Sequence, residues 1–230
     1  MPSRRAGPSA PCGCAYPVAM ERPFVVHADA HCVVVDKPPG LPAVPGRTAA
    51  LQDCTSRRVQ VLYPDALVVH RLDMATSGLM VMARGAEAQR SLSSAFAGRH
   101  VDKTYVAVVA GAVAGEAGEI DLPLGADWPN RPRQQVDRAH GRPALTRWRV
   151  LARHAGTTRL LLQPVTGRTH QLRVHLAAIG HPIVGDGLYG PAGTPPHAGT
   201  SDRLLLHALE LTFPHPHSGE PLRLHCPPAF

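Results

Sequence analysis

The chain has 230 residues, 44% of them hydrophobic, which is enough to bury a core and too many for wholesale disorder; its length lies between one large domain and two small ones. No apolar run approaches roughly eighteen residues and no continuous apolar stretch follows the N-terminal arginines, which speaks against a membrane-spanning helix and a secretory leader and makes the cytoplasm the expected location. The formal net charge of +7 points to an acidic partner, while five cysteines, odd in number and scattered, do not form the pattern of a disulfide framework.

Residues 1 to about 20 are rich in Pro, Gly, Ala and Ser and read as a disordered tail, and residues 21–230 as one domain. Cys12 and Cys14 in that tail lack the second pair that a zinc site of this kind needs, and no His/Glu spacing elsewhere resembles a zinc signature, so no metal is expected. FVVHAD and HCVVVDKPPG predict two short strands, the second stopped by Pro-Pro-Gly. SRRVQVLYP predicts a short helix closed by Pro64, and LVVHRL and GLMVMAR predict strands on either side of DMATS. GAEAQRSLSSAFAGRH predicts a helix with Ala88, Leu92 and Phe96 four residues apart.

KTYVAVVAG predicts a strand, whereas residues 115–143 read as irregular apart from IDLPL. TRWRVLARH and TTRLLLQPV predict a strand pair, THQLRVHLAAIG a helix burying Leu172, Leu176 and Ile179, and RLLLHALELTFPH and PLRLHCPP the last strands. Between Trp128 and Arg173 stand ten arginines and one acid, Asp137. The chain has 22 Arg and two Lys, a preference that explains Arg over Lys but not the missing acids. Such a window is the footprint of a nucleic acid partner. Strands outnumber helices and hairpin-length links outnumber crossovers, so the expected class is α+β with a mixed, mostly antiparallel sheet and flanking helices.

Within this frame VHRLDMATSG is unusual, because Arg71 and Asp73 stand in otherwise core-forming chain. At i and i+2 of an extended segment they share one side, which leaves either a structural ion pair or a working carboxylate at a strand-to-loop break. Arg173, bordering the apolar face of its helix, needs a partner, and an aspartate is the natural one. Tyr105 sits mid-strand, with the ordinary strand tyrosine as the plainer interpretation.

VHRLDMATSGLMVMA, DKPPGLPAVPG, KTYVA, GRTHQLRVH and HPIVGDGLYG, in this order across roughly residues 24–230, resemble the RluA-type family of pseudouridine synthases. DLPLGADWPNRPRQQV and RLLLHALELTFPHP are particularly similar to that family's small dual-specificity member, which modifies both 23S ribosomal RNA and the anticodon stem-loop of transfer RNA. The resemblance implies an isomerase acting on RNA, with a central RNA-binding cleft and no separate N-terminal RNA-binding domain; the reaction calls for no metal or cofactor, and a monomer is the default expectation. The resemblance assigns Asp73 as the catalytic aspartate, Tyr105 as the ring packing on the target base, and Arg173 as the basic partner of Asp73. Arg71, Thr76, Arg131, Arg133, Arg168 and His170 are the expected substrate-binding residues. One departure is LQDCTS, where relatives show an Asp-Ser pair opening a helix and this chain has Asp53 followed by Cys54.

Pseudouridine formation breaks the C1′–N1 bond of uridine and rejoins the base through C5 without net redox change. Asp73 can attack C1′, add to the base, or abstract a sugar proton, and the sequence leaves all three open. Two other classes compete. A non-catalytic RNA-binding module accounts for the arginines but not for the Asp73, Tyr105 and Arg173 set; a carboxylate hydrolase accounts for Asp73 but lacks a second carboxylate. A synthase specific for only one of the two RNAs is the narrower alternative.

Overall fold

The computed structural model describes residues 24–190 and 203–230; the expected tail at residues 1–20 and its Cys12–Cys14 pair lie outside them. One large sheet organises the molecule. Its main path runs β1 (Val25–Ala28), β2 (Cys32–Lys37), β4 (Ser77–Arg84), β11 (Leu206–Pro214), β5 (Asp102–Ala110), β10 (Thr157–Pro164), β9 (Leu145–His154) and β6 (Ala117–Asp121). Strand β3 (Ala66–Val68) adds to β4 and β12 (Pro221–His225) to β11, while β7 (Leu124–Ala126) and β8 (Gln134–Val136) form a separate hairpin. Every pairing is antiparallel except β4 with β11, so the sheet is mixed and mostly antiparallel, and the class is α+β.

The near-continuous apolar runs of β2 and β4 follow from burial on both faces. Cys32, Val34, Leu79, Val81 and Ala83 face α2 (Gly85–Ala97) through Ala88 and Leu92, whereas Val33, Val35, Met80 and Met82 share a second core with Val59 of α1 (Thr55–Leu62). A third core joins Leu172 and Leu176 of α3 (Gln171–Ala178) to β5, β9 and β10.

The parallel seam is short: only Ser77 and Gly78 of β4 pair with His207 and Ala208 of β11, after which β3 and β12 occupy the two diverging margins. Gly78 makes the close approach possible. Its φ is +107°, and a Cβ there would lie 2.4 Å from the Ala208 carbonyl oxygen. Register then carries the seam outward, Gly78 beside Ala208, Ala208 beside Tyr105 and Tyr105 beside Leu162. Tyr105 packs against both the α1-side and the α3-side cores.

Three local expectations change. LVVHRL is a strand only over Ala66–Val68; beyond it the chain has no neighbour to pair with and becomes a loop. Residues 115–143 are not irregular but supply β6, β7 and β8. Ile179 caps α3 at 37% exposed instead of joining its buried face. At the start of α1 the N-cap Cys54 makes no side-chain cap; the N–H groups of Thr55 and Ser56 donate instead to the carbonyls of Pro42 and Ala43.

Candidate active site

Residues 69–76 connect β3 to β4 and place the VHRLDMATSG motif at the mouth of the seam. Leu72 is buried in the α1-side core, and the His70 ring stacks on Phe96 and accepts the Val81 N–H at 3.0 Å. Burial, helped by the charge of Lys103, pulls the His70 pKa down to about 3, so the ring is a neutral acceptor. Arg71 is exposed and the Asp73 side chain partly so. They form no ion pair with each other, because Arg71 has no carboxylate within 4 Å among the described residues.

The loop is pinned by Lys37 of the DKPPG block. Its wholly buried ammonium donates to the carbonyls of Pro38, Leu41 and Met74, and Gly40 N–H joins on Met74 O at 2.9 Å. Burial is the main influence on Lys37 and lowers its pKa to about 8 against the opposing pull of Asp73. Beside Met74, the Asp73 side chain is 26% exposed and accepts no side-chain hydrogen bond among the described residues.

Arg173 stands 3.6 Å from Asp73 Oδ2 through Nη1, yet its main partner is a different carboxylate. Nε and Nη2 donate to Asp186 Oδ2 and Oδ1 at 2.8 and 2.7 Å, a bidentate pair with the Asp186 side chain fully buried. Burial opposes the charge of Arg173, but Asp186 outweighs it and raises the arginine pKa. The N–H groups of Leu188 and Tyr189 complete the shell of Asp186 Oδ1. The arginine therefore does not border the helix face but is 5% exposed, with one arm left for Asp73.

His170 comes to Asp73 from the other side, with Nε2 at 3.9 Å from Oδ1. It occupies the N-cap of α3 with φ +54°, a left-handed backbone that histidine tolerates better than most residues. Gln134 N–H donates to the Tyr189 hydroxyl at 2.7 Å, and that hydroxyl shares a hydrogen bond of 2.7 Å with His170 Nδ1. Burial lowers the His170 pKa, and Asp73 partly restores it. His170, expected to touch substrate, is placed as a neighbour of the carboxylate.

Asp73, Arg71, Thr76, Tyr105 and Arg168 line one pocket of about 310 Å³. Burial, then the charge of Asp73, push the Tyr105 phenol well above its ordinary value, so it stays protonated. Thr76 is 3% exposed and contributes to the wall only. The Arg168 loop is fastened by Gln171, whose Oε1 accepts from Arg168 N–H and Thr166 Oγ1 while its Nε2 donates to Leu145 O and Thr146 Oγ1. Arg131 and Arg133 do not reach this pocket. Arg131 stacks on exposed Trp128 at 3.6 Å from the ring centroid in the link between β7 and β8, and Arg133 lies 5.4 Å from the Tyr189 ring. Asp186, Tyr189, Lys37 and Gln171 were not singled out from the sequence, although each lies in a quoted motif block.

Two further places gather metal-ligating atoms, His27, Asp29 and Cys32, and Asp36, His207 and Cys226. In the first, Asp29 already accepts from His27 and His215 rings and from the N–H groups of His31 and Cys32; in the second, both His207 nitrogens are engaged, by Ser77 and the Cys226 carbonyl. Neither touches Asp73.

The family model for RNA pseudouridylate synthase matches residues 31–178. The chain is 47% identical over 208 residues to the dual-specificity RNA pseudouridine synthase RluA of Yersinia pestis, covering 90% of this chain and 100% of that protein. It is 46% identical over 207 residues to the protein of the same name from Escherichia coli strain K12, covering 90% and 93%. Among solved structures, human RNA pseudouridylate synthase domain containing 1 superposes with a TM-score of 0.76 at 29% identity, over 94% of this chain and 87% of that one. With the fold, the motif blocks and these likenesses in accord, the chain belongs to the RNA pseudouridylate synthase family.

Proposed function

We propose that this chain converts uridine to pseudouridine in stem-loops of both 23S ribosomal RNA and transfer RNA, acting in the cytoplasm as a monomer with Asp73 as its catalytic carboxylate. The observation that carries the reading is the state of Asp73: a partly exposed carboxylate at a pocket, flanked by Arg173 at 3.6 Å and His170 at 3.9 Å, with no hydrogen bond consuming its oxygens among the described residues. A carboxylate held by charge but not saturated by donors is free to engage a sugar or base atom. Asp186 and Tyr189 act through Arg173 and His170 and are positioning residues.

The target uridine leaves its stack to enter the pocket, at an unstacking cost of a few kcal/mol. Its base packs on the Tyr105 ring. Burial and then the charge of Asp73 hold the Tyr105 phenol above the ordinary value, which suits it as a surface and hydrogen-bond donor for that base. The C1′–N1 bond breaks, C1′–C5 forms, the C5 proton departs and N1 takes one up, so the product is an isomer of the substrate.

The test is tritium release from RNA carrying 5-tritiated uridine. Asp73→Asn lowers release by ~10³-fold or more, the scale lost when a reacting group is removed, while RNA affinity stays within a few-fold. Retained release overturns the role of Asp73. Pseudouridine mapping in a strain lacking the gene decides the RNA: sites missing from both RNAs support the dual reading, and sites missing from one replace it with the narrower one.

A further inference from the structure

Beside the Asp73 pocket lies a larger groove of about 980 Å³, continuous with it through shared walls at Phe96, Lys103, Thr166, Gly167 and Arg168. Six cations line it: Arg99 after α2, Lys103 on β5, Arg142, Arg147 on β9, Arg168 before α3, and Arg223 on β12. Against them stand Asp102 and Glu210. Among the described residues only one of the six, Arg147, has a carboxylate within 4 Å, Glu119 at 2.7 Å.

The unpartnered cations are also close enough to press on one another. Burial works against the charge of Arg168 first, and Arg142 and Arg99 add to that effect. Lys103 is likewise held below its ordinary value by burial. A fold that gathers like charges from segments over a hundred residues apart, without supplying counter-charges, has left room for an anion.

Arg99 carries a second mark. Helix α2 ends in hydrogen bonds from Gly98 N–H to Ser94 O and from His100 N–H to Ala95 O, and between them Arg99 has φ +60°. Glycine is the usual residue at this left-handed position. The adjacent Gly98 has an ordinary φ of −76°, so the chain has placed its arginine, and not its glycine, where the backbone is strained. Phe96 is the one aromatic residue in the groove, and it is engaged with His70. The walls therefore offer charge without a free stacking platform, which suits phosphates better than bases.

We propose that this groove is the track for the phosphate backbone of the RNA strand flanking the target uridine, gripped by Arg99, Lys103, Arg142, Arg168 and Arg223. The proposal rests on the reading of the chain as an RNA-modifying enzyme. Three of the five, Arg99, Lys103 and Arg223, lie outside the arginine-rich window, and Arg131 and Arg133 of that window do not line the groove.

The test measures KM for a stem-loop RNA, kcat, and the dependence of RNA affinity on KCl, for the intact chain and for Arg99→Gly, Arg99→Lys, Arg142→Gln and Arg223→Gln. Arg99→Gly is expected to keep or raise the melting temperature, since glycine relieves the left-handed strain, and yet to raise KM about threefold to tenfold. Each neutralising change flattens the log–log salt slope by about 0.7–0.9, the value for one lost phosphate contact. Arg99→Lys restores that slope. An unchanged salt slope and KM in all three neutralised variants, with the unsubstituted enzyme active, overturns the groove. If the unsubstituted chain forms no pseudouridine in any RNA, the functional reading falls instead, and filter binding of RNA to the same variants still decides the groove.

Discussion

Arginines stand near Asp73 in two settings, Arg173 beside the carboxylate and the others in the adjoining groove, and the fold has treated these two groups in opposite ways. Arg173 is buried and spends two arms on Asp186, whose own oxygens are shared with backbone N–H groups. Arg99, Arg142 and Arg168 reach the adjoining groove with no carboxylate partner among the described residues. The difference separates two uses of one side chain. Where a charge has to stay fixed beside Asp73, the protein supplies the counter-charge itself; where a charge has to meet a partner that comes and goes, it supplies none.

The most severe way to break this contrast is to remove the internal counter-charge. Asp186→Asn leaves Arg173 buried beside an amide, and losing one member of a buried pair costs about 3–5 kcal/mol. Urea unfolding should show a loss of that size. A loss below about 1 kcal/mol would mean that Arg173 swings onto Asp73, and the two groups would then differ less than their geometry says.

The next largest effect comes from His70, which stands between the groups and feels Lys103 of the groove. Its folded pKa of about 3 lies below the ordinary 6.5, so between those values the unfolded chain binds more protons than the folded one. Stability therefore falls as the pH drops from 6.5 toward 3, by on the order of 2–3 kcal/mol for this partly exposed ring. His70→Asn should flatten that part of the stability–pH curve. Lys103→Met should raise the folded His70 pKa and narrow the window, measured by the imidazole resonance in NMR. Titration of the His70 ring near 6.5 in the folded protein would remove both expectations.

Much of this was legible in the residues. Alternation in β9 and β10, the apolar runs of β2 and β4 and the hairpin-length links disclose a mostly antiparallel α+β sheet, because period and turn chemistry are local. The seam was not legible, since Ser77 meets His207 across 130 residues and the pairing depends on Gly78 admitting the Ala208 carbonyl. The β7–β8 hairpin was hidden because LGA and QQV, three residues each, are too short to show a period amid prolines and arginines. At the site, Asp73 stood out as a charge in apolar chain. Asp186 did not, although it sits between Gly185 and Gly187, and Gly185 at φ +76° passes so near the Arg203 carbonyl that a Cβ there would lie at 2.0 Å. An acid directly after such a glycine is a signal of a tightly built turn, and that signal can be used elsewhere.

Arg147 offers the finest cut through the comparison, because it belongs to both groups at once. It lines the groove with Arg142 and Arg168, yet it is tied to Glu119 at 2.7 Å across the β6–β9 pairing. Both side chains are more than half exposed, so the pair contributes less than about 1 kcal/mol to stability. If a counter-charge is what decides whether an arginine serves the fold or the RNA, Arg147→Gln should move the salt slope of RNA binding by well under the value for Arg142→Gln. Glu119→Gln should do the reverse of a loss, freeing Arg147 and steepening the slope by up to ~0.9. Equal slopes for Arg147→Gln and Arg142→Gln would show that position in the groove, and not the internal partner, sets the role of each arginine.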